Sequence, residues 1–201
     1  MNIDLSEAPI TSVADLKEVS VAFNVDRICD VMPVGNGSGG FTLLERTIDI
    51  PYVKDYDRID GEGPTQWASR FDITNWGFIR AQSQGRLVGG AVIAFNTPGV
   101  IMLERRKDLA VLWDIRVSPE VRERCVGSAL LRAAEAWAIS TGCTRFKVET
   151  QNINVAACRF YEQHGFVLRT VDRFAYPGLP GEIQLLWYKD LSPQPTSSKA
   201  G

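Results

Sequence analysis

The sequence predicts a mixed α/β (α+β) fold: a mostly antiparallel central sheet flanked by helices. Three observations predict it. Residues 76–117 alternate runs rich in β-branched and aromatic residues with short polar breaks, the pattern of strands joined by turns. After Gly127 the apolar residues Leu130, Ala133, Ala134, Trp137 and Ala138 fall at helical spacing, with Arg132 and Glu135 opposite, as in a helix that packs one face on a sheet. From there to residue 191, strand, helix and two further strands follow in turn.

Residues 1–18 are weakly patterned and read as an amino-terminal extension, followed by a single domain over 19–191. "VSVAFNV" (19–25) and "FTLLERTIDI" (41–50) are strand candidates separated by the flexible loop "GNGSGG". "PTQWASRF" (64–71) predicts a short helix. "WGFIRAQ", "SQGR" and "LVGGAVIAF" predict one hairpin, and "GVIMLE", "RRKD" and "LAVLWDIRV" a second. The helix over 127–142 comes next, turned by Gly142, then the strand "TRFKVET", the helix "NVAACRFYEQHGF" ending at Gly165, and the strands "FVLRTVDRF" and "IQLLWYKDL". The tail "SPQPTSSKAG" (192–201) offers nothing apolar to bury and is expected to be disordered.

Composition excludes several classes of function. Formal net charge is −2 with both signs dispersed, so no basic stripe points to nucleic acid. No window approaches a membrane span, and the first residues lack the pattern of a signal peptide, so a cytoplasmic protein without a membrane partner is expected. Cys29, Cys125, Cys143 and Cys158 include no C-x-x-C pair and His164 is the single histidine. Neither a metal site nor a disulfide framework is supported, and Ser-His or Cys-His catalysis lacks a suitable imidazole arrangement. His164 reads as a polar residue closing the last turn of a helix before Gly165.

The strand ending "DIRV", a loop with Arg122, Arg124 and Gly127, and a helix start make an anion site. Free N–H groups and the helix dipole there favour a diphosphate. The loop "RERCVG" resembles the R-x-x-G-x-G/A signature of the GNAT N-acetyltransferase superfamily, and "NVAACRFYEQHGF" resembles its pattern N-x-x-A-x-x-F-Y-x-x-x-G-F. "VETQNINVAACRFYEQHGF", "DRFAY" and "LLWY" are similar in particular to streptothricin acetyltransferases. Cys125 departs from the pattern by standing at its first glycine, where a left-handed backbone would cost about 1 kcal/mol.

That resemblance implies a sheet splayed between the family's fourth and fifth strands, here those carrying "DIRV" and Glu149, and an acetyl-CoA cosubstrate attacked directly by an amine. It implies that backbone groups of Ile115, Arg116 and Val117 meet the pantetheine. The loop Arg122, Glu123, Arg124, Cys125, Val126, Gly127 and Ser128 would hold the diphosphate, with Asn154, Ala157 and Phe160 lining the arm. Tyr161 would protonate the departing thiolate. Asp114, Glu149 and a water are equal candidates for the base. Asp55, Asp57 and Asp60, with Tyr56 among them, form an acidic segment that would attract a small cationic amine, a streptothricin-like antibiotic being one such acceptor. The alternatives are a protein N-terminal or lysine acetyltransferase and a non-catalytic acyl-CoA-binding module, and a homodimer is left open.

Overall fold

The structure, a computed structural model, describes residues 3–59, 62–122 and 125–191. Asp60, Glu123, Arg124 and the tail 192–201 therefore lie outside the described residues. The main sheet has seven strands: β1 (Asp4–Glu7), β4 (Gly77–Ser83), β5 (Arg86–Phe95), β6 (Leu109–Val117), β7 (Arg145–Gln151), β8 (Val167–Asp172) and β9 (Gln184–Asp190). Their order across the sheet is β1-β4-β5-β6-β7-β9-β8, and every neighbouring pair is antiparallel except β6 with β7. The parallel step needs a crossover, supplied by helix α2 (Val126–Ser140).

Helix α2 packs on one face of the sheet. Leu130, Leu131, Ala134 and Ala138 are buried against a cluster that includes Ala91, Ile93, Ala110 and Phe146. Burying a leucine side chain contributes about 1.5–3 kcal/mol, so this stripe anchors the crossover and with it the start of α2. Gly77 is required where Trp137 lies on the sheet, because a Cβ there would come within 2.5 Å of the indole ring. Helix α3 (Val155–Gln163) joins the same layer through Cys158 and Tyr161.

Three sequence expectations change. Residues 4–18 are no separate extension: β1 pairs with β4, and Leu16, in the 3-10 turn Ile10–Glu18, is wholly buried beside Phe78 and Val92. Their apolar residues sit at irregular spacing because the segment is a short strand followed by a 3-10 turn, and neither element has the period of a helix. "GVIMLE" is not a strand, since Ile101–Leu103 is a 3-10 turn and β6 pairs with β5 instead. Left-handed Glu104 and Arg105 end that turn. The strands expected upstream form a separate two-stranded ribbon, β2 (Phe23–Pro33) with β3 (Phe41–Lys54). The β2 strand begins later than expected and runs through the polar stretch "DRICD" because only Val25, Cys29 and Val31 need burial. The short helix α1 (Trp67–Arg70) falls within its predicted stretch.

Candidate functional site

The parting of two strands creates the site. β6 and β7 are paired from Leu109–Arg145 to Leu112–Val148 and no further, while β6 continues to Val117 and β7 to Gln151. The opposite edge of β6 stays paired to β5 through Ala91–Ile115 and Gly89–Val117. The expected splay is therefore present: it leaves one edge of β6 unpaired beyond Leu112, and Trp113, Asp114, Ile115 and Arg116 line a cleft of about 530 Å³.

One end of β6 leads to the loop before α2, where the sequence places the cradle. Cys125 immediately precedes α2 with φ 60° and ψ 10°, a left-handed conformation, and its side chain is exposed. The first helical bond runs from Ala129 N–H to the Cys125 carbonyl at 2.9 Å, so the N–H groups of Val126, Gly127 and Ser128 point out of the helix start. A Cβ on Gly127 would lie 3.7 Å from the Phe160 ring and 3.8 Å from Val117. There is room for a carbon there, at ordinary contact distance from both side chains. Arg122 turns away from the helix start, donating to the carbonyls of Val117 at 3.0 Å and Ala22 at 3.1 Å.

Helix α3 borders the cleft. Its cap is Asn154, whose Oδ1 accepts the Ala157 N–H at 3.1 Å. Asn154, Ala157 and Tyr161 all line the cavity. The Tyr161 ring is buried edge-on between Phe160 and Phe166, with centroids 5.2 and 5.4 Å away. Its hydroxyl has no hydrogen-bond partner among the described residues. Burial first, then the negative charge of Asp114, push this phenol well above the ordinary tyrosine range, so it remains protonated through any neutral pH.

The carboxylates divide by what holds them. Arg116, with only 2% of its side chain exposed, bridges Asp114 (Nε to Oδ1, 2.9 Å) and Asp57 (Nη2 to Oδ1, 2.9 Å). Burial raises the Asp114 pKa, and the Arg116 hydrogen bonds only partly oppose it. Glu149 is held by neutral donors: Gln184 at 2.7 Å, Gln151 at 3.2 Å and the Tyr176 hydroxyl. Glu182, almost fully buried, takes the ammonium of Lys54 and the Tyr56 hydroxyl at 3.3 Å. Tyr56 also donates to Gln151 at 2.7 Å.

Asp57, Tyr56, Asp114, Arg116, Glu149 and Tyr161 are thus brought into one cleft. Asp55 stays behind it, accepting the Asp57 N–H at 3.1 Å and pairing with Arg58 at 3.3 Å. Sequence reasoning missed the Arg116 side chain as a clamp, and also Lys54, Gln151, Tyr176, Gln184 and Glu182. Polar residues scattered over a strand end, a helix approach and a loop leave no spacing signal, although Tyr176 lies in the stretch "DRFAY" already singled out.

Known proteins resemble this chain along most of its length. Residues 45–166 match the family described as Acetyltransferase (GNAT) family. The streptothricin acetyltransferase A of Bacillus subtilis (strain 168) is 29% identical over 153 residues, covering 75% of this chain and 80% of that protein. A streptothricin acetyltransferase of Escherichia coli is 30% identical over 163 residues, covering 79% of this chain and 82% of its own length. Among solved structures, nourseothricin acetyltransferase superposes with a TM-score of 0.72 at 22% identity, covering 96% of this chain and all of that one. A Bacillus anthracis str. Ames protein, crystallised in complex with acetyl coenzyme A, superposes with a TM-score of 0.74 at 23% identity over 94% of this chain and 99% of its own.

Proposed function

The chain belongs to the acetyltransferase (GNAT) family, and on that premise we propose that it transfers the acetyl group of acetyl-CoA to an amine of a small cationic acceptor, streptothricin-like antibiotics foremost. The observation that carries this reading is the parted β6 and β7 strands, whose gap is lined by Asp114, Ile115 and Tyr161, with the start of α2 following β6 in the chain. The names of the relatives favour the same acceptor class.

The residues fit the cosubstrate. The outward N–H groups of Val126, Gly127 and Ser128 suit a diphosphate, and the unpaired edge of β6 at Ile115 and Val117 suits the amides of a pantetheine arm. When bound, acetyl-CoA supplies the activated thioester. Tyr161 is the general acid, its hydroxyl proton available to a departing thiolate because burial keeps the phenol protonated.

Asp114 is the base. It lines the same cleft as Tyr161, and burial makes this carboxylate more basic than an exposed one. Arg116 orients it, leaving lone pairs free for an incoming ammonium or a water between them. Glu149, held among the described residues by neutral donors and by no ion pair, binds a cationic part of the acceptor. Tyr56 and Tyr176 flank the carboxylates and suit cation–π contact.

The test is release of free thiol from acetyl-CoA across a panel of streptothricin, aminoglycosides, polyamines and peptides, with the acetylated product identified by mass. Turnover of streptothricin in preference to the others supports the proposal. Preferential turnover of peptides would replace it with a protein acetyltransferase, and binding of acetyl-CoA without turnover of any amine would leave an acyl-CoA-binding module.

A further inference from the structure

His164 closes α3 but also reaches beyond it. The Schellman-type bonds Phe166 N–H to Tyr161 carbonyl (3.0 Å) and Gly165 N–H to Glu162 carbonyl (3.0 Å) turn the chain at Gly165, with φ 81°. That turn holds the imidazole over Phe160, with ring centroids 4.3 Å apart. The imidazole Nδ1 lies 2.7 Å from the Phe160 carbonyl and Nε2 lies 2.9 Å from Ser128 Oγ. A carbonyl only accepts, so Nδ1 carries a proton and donates to it, and Nε2 and the Ser128 hydroxyl share the second hydrogen bond.

We propose that His164 is a positioning residue for the diphosphate cradle, acting through Ser128. The proposal rests on the reading that the start of α2 holds coenzyme A. Ser128 is the third residue of α2, and its amide is one of the three that point outward. A serine near a helix start readily turns its hydroxyl to a neighbouring backbone group. Engaging that hydroxyl from α3 prevents this and ties the first turn of α2 to the helix that carries Tyr161. The cradle and the acid are then set relative to each other by one side chain that touches neither the thioester nor the amine.

The experiment is a double-mutant cycle read by calorimetry with coenzyme A and by steady-state kinetics. His164→Phe keeps the ring on Phe160 but deletes both nitrogens, His164→Gln keeps a polar atom within reach of Ser128, and Ser128→Ala removes the other end. One neutral hydrogen bond translates into an affinity loss of about 3- to 10-fold for His164→Phe and for Ser128→Ala. The double variant loses no more than either single change, because both cut the same link. His164→Gln recovers most of the loss, and for the two His164 variants kcat at saturating acetyl-CoA stays within about twofold of wild type.

Wild-type affinity in Ser128→Ala, or losses that add in the double variant, would overturn the proposal, as would a His164→Gln no better than His164→Phe. If His164→Phe does not fold, Ser128→Ala and His164→Gln decide the matter alone. Failure of the wild type to bind coenzyme A would instead overturn the reading on which the proposal rests. Binding that is sensitive to Gly127→Val yet indifferent to Ser128→Ala would overturn the proposal alone.

Discussion

Replacing Cys125 by glycine separates the strain of the loop from its function. The residue sits at φ 60° and ψ 10° with an exposed side chain that makes no capping hydrogen bond. A non-glycine residue in the left-handed region costs about 1–2 kcal/mol, and glycine relieves that cost. Glycine also gives back about 0.4–1 kcal/mol by loosening the unfolded chain. The net expected gain in stability is about 0.5–1 kcal/mol, or a rise of about 1–4 °C in Tm for a chain of this size. Coenzyme A affinity should hold or improve, because glycine preserves every outward amide. Gly127→Val is the contrasting change. A Cβ there meets Phe160 and Val117 only at ordinary contact distances of 3.7 and 3.8 Å, so the fold tolerates it, but the branched methyls stand in the path of the diphosphate. We expect affinity to fall at least about tenfold, a loss of about 1.4 kcal/mol, with little change in Tm. Calorimetry and thermal unfolding on both variants make the measurement. Equal affinity in wild type and Gly127→Val, or a sharp loss in Cys125→Gly, would refute the assignment of this loop.

Four more outcomes are expected. Asp114→Asn should lower kcat by about 10²- to 10⁴-fold. In the wild type kcat/KM should fall on the acid side, as the required carboxylate takes up its proton at a pKa that burial holds above the usual 3.8, and a pH–rate profile of the variant should lack that limb. Glu149→Gln should raise the acceptor KM more than it lowers kcat if this carboxylate binds a cation, a split that steady-state kinetics resolves. Arg116→Met strands Asp114, only 11% of whose side chain is exposed, and should cost about 3–5 kcal/mol in urea unfolding. Neutralising the acidic segment (Asp55→Asn, Asp57→Asn, Asp60→Asn) should raise the acceptor KM at low salt without altering acetyl-CoA binding. The part due to Asp57 should persist at high salt, because its partner Arg116 is buried.

What was legible in the sequence follows from how local each signal is. Helices α2 and α3 could be read because their buried faces repeat at helical spacing, from Leu130 to Ala138 and from Val155 to Tyr161. The β4–β5 hairpin was equally plain, since the break "SQGR" holds the left-handed Gln84 and Gly85. The loop at Cys125 and the helix of Tyr161 were found through motifs, which are also local. Residues 4–18 and the end of β2 were not, because their burial is dictated by partners far along the chain, Phe78 for one and Asn152 for the other. The Asp114–Arg116–Asp57 clamp illustrates the same limit within the site. Arg116 and Asp114 are two residues apart on one strand, but Asp57 arrives from a turn 59 positions away. The same is true of Lys54 with Glu182 and of Glu149 with Tyr176. The Arg122 side chain, whose direction the sequence does not reveal, supports the backbone at Val117 and Ala22.

The measurement that tests the central claim most directly is the kinetics of Tyr161→Phe. The substitution removes one oxygen from a ring packed between Phe160 and Phe166, and the hydroxyl has no partner among the described residues, so packing and fold should be untouched. If Tyr161 protonates the thiolate as it leaves, kcat falls by about 10²- to 10⁴-fold while the KM for acetyl-CoA changes little. An unchanged kcat at saturating substrates, with chemistry shown to be rate-limiting in single turnover, would contradict the account.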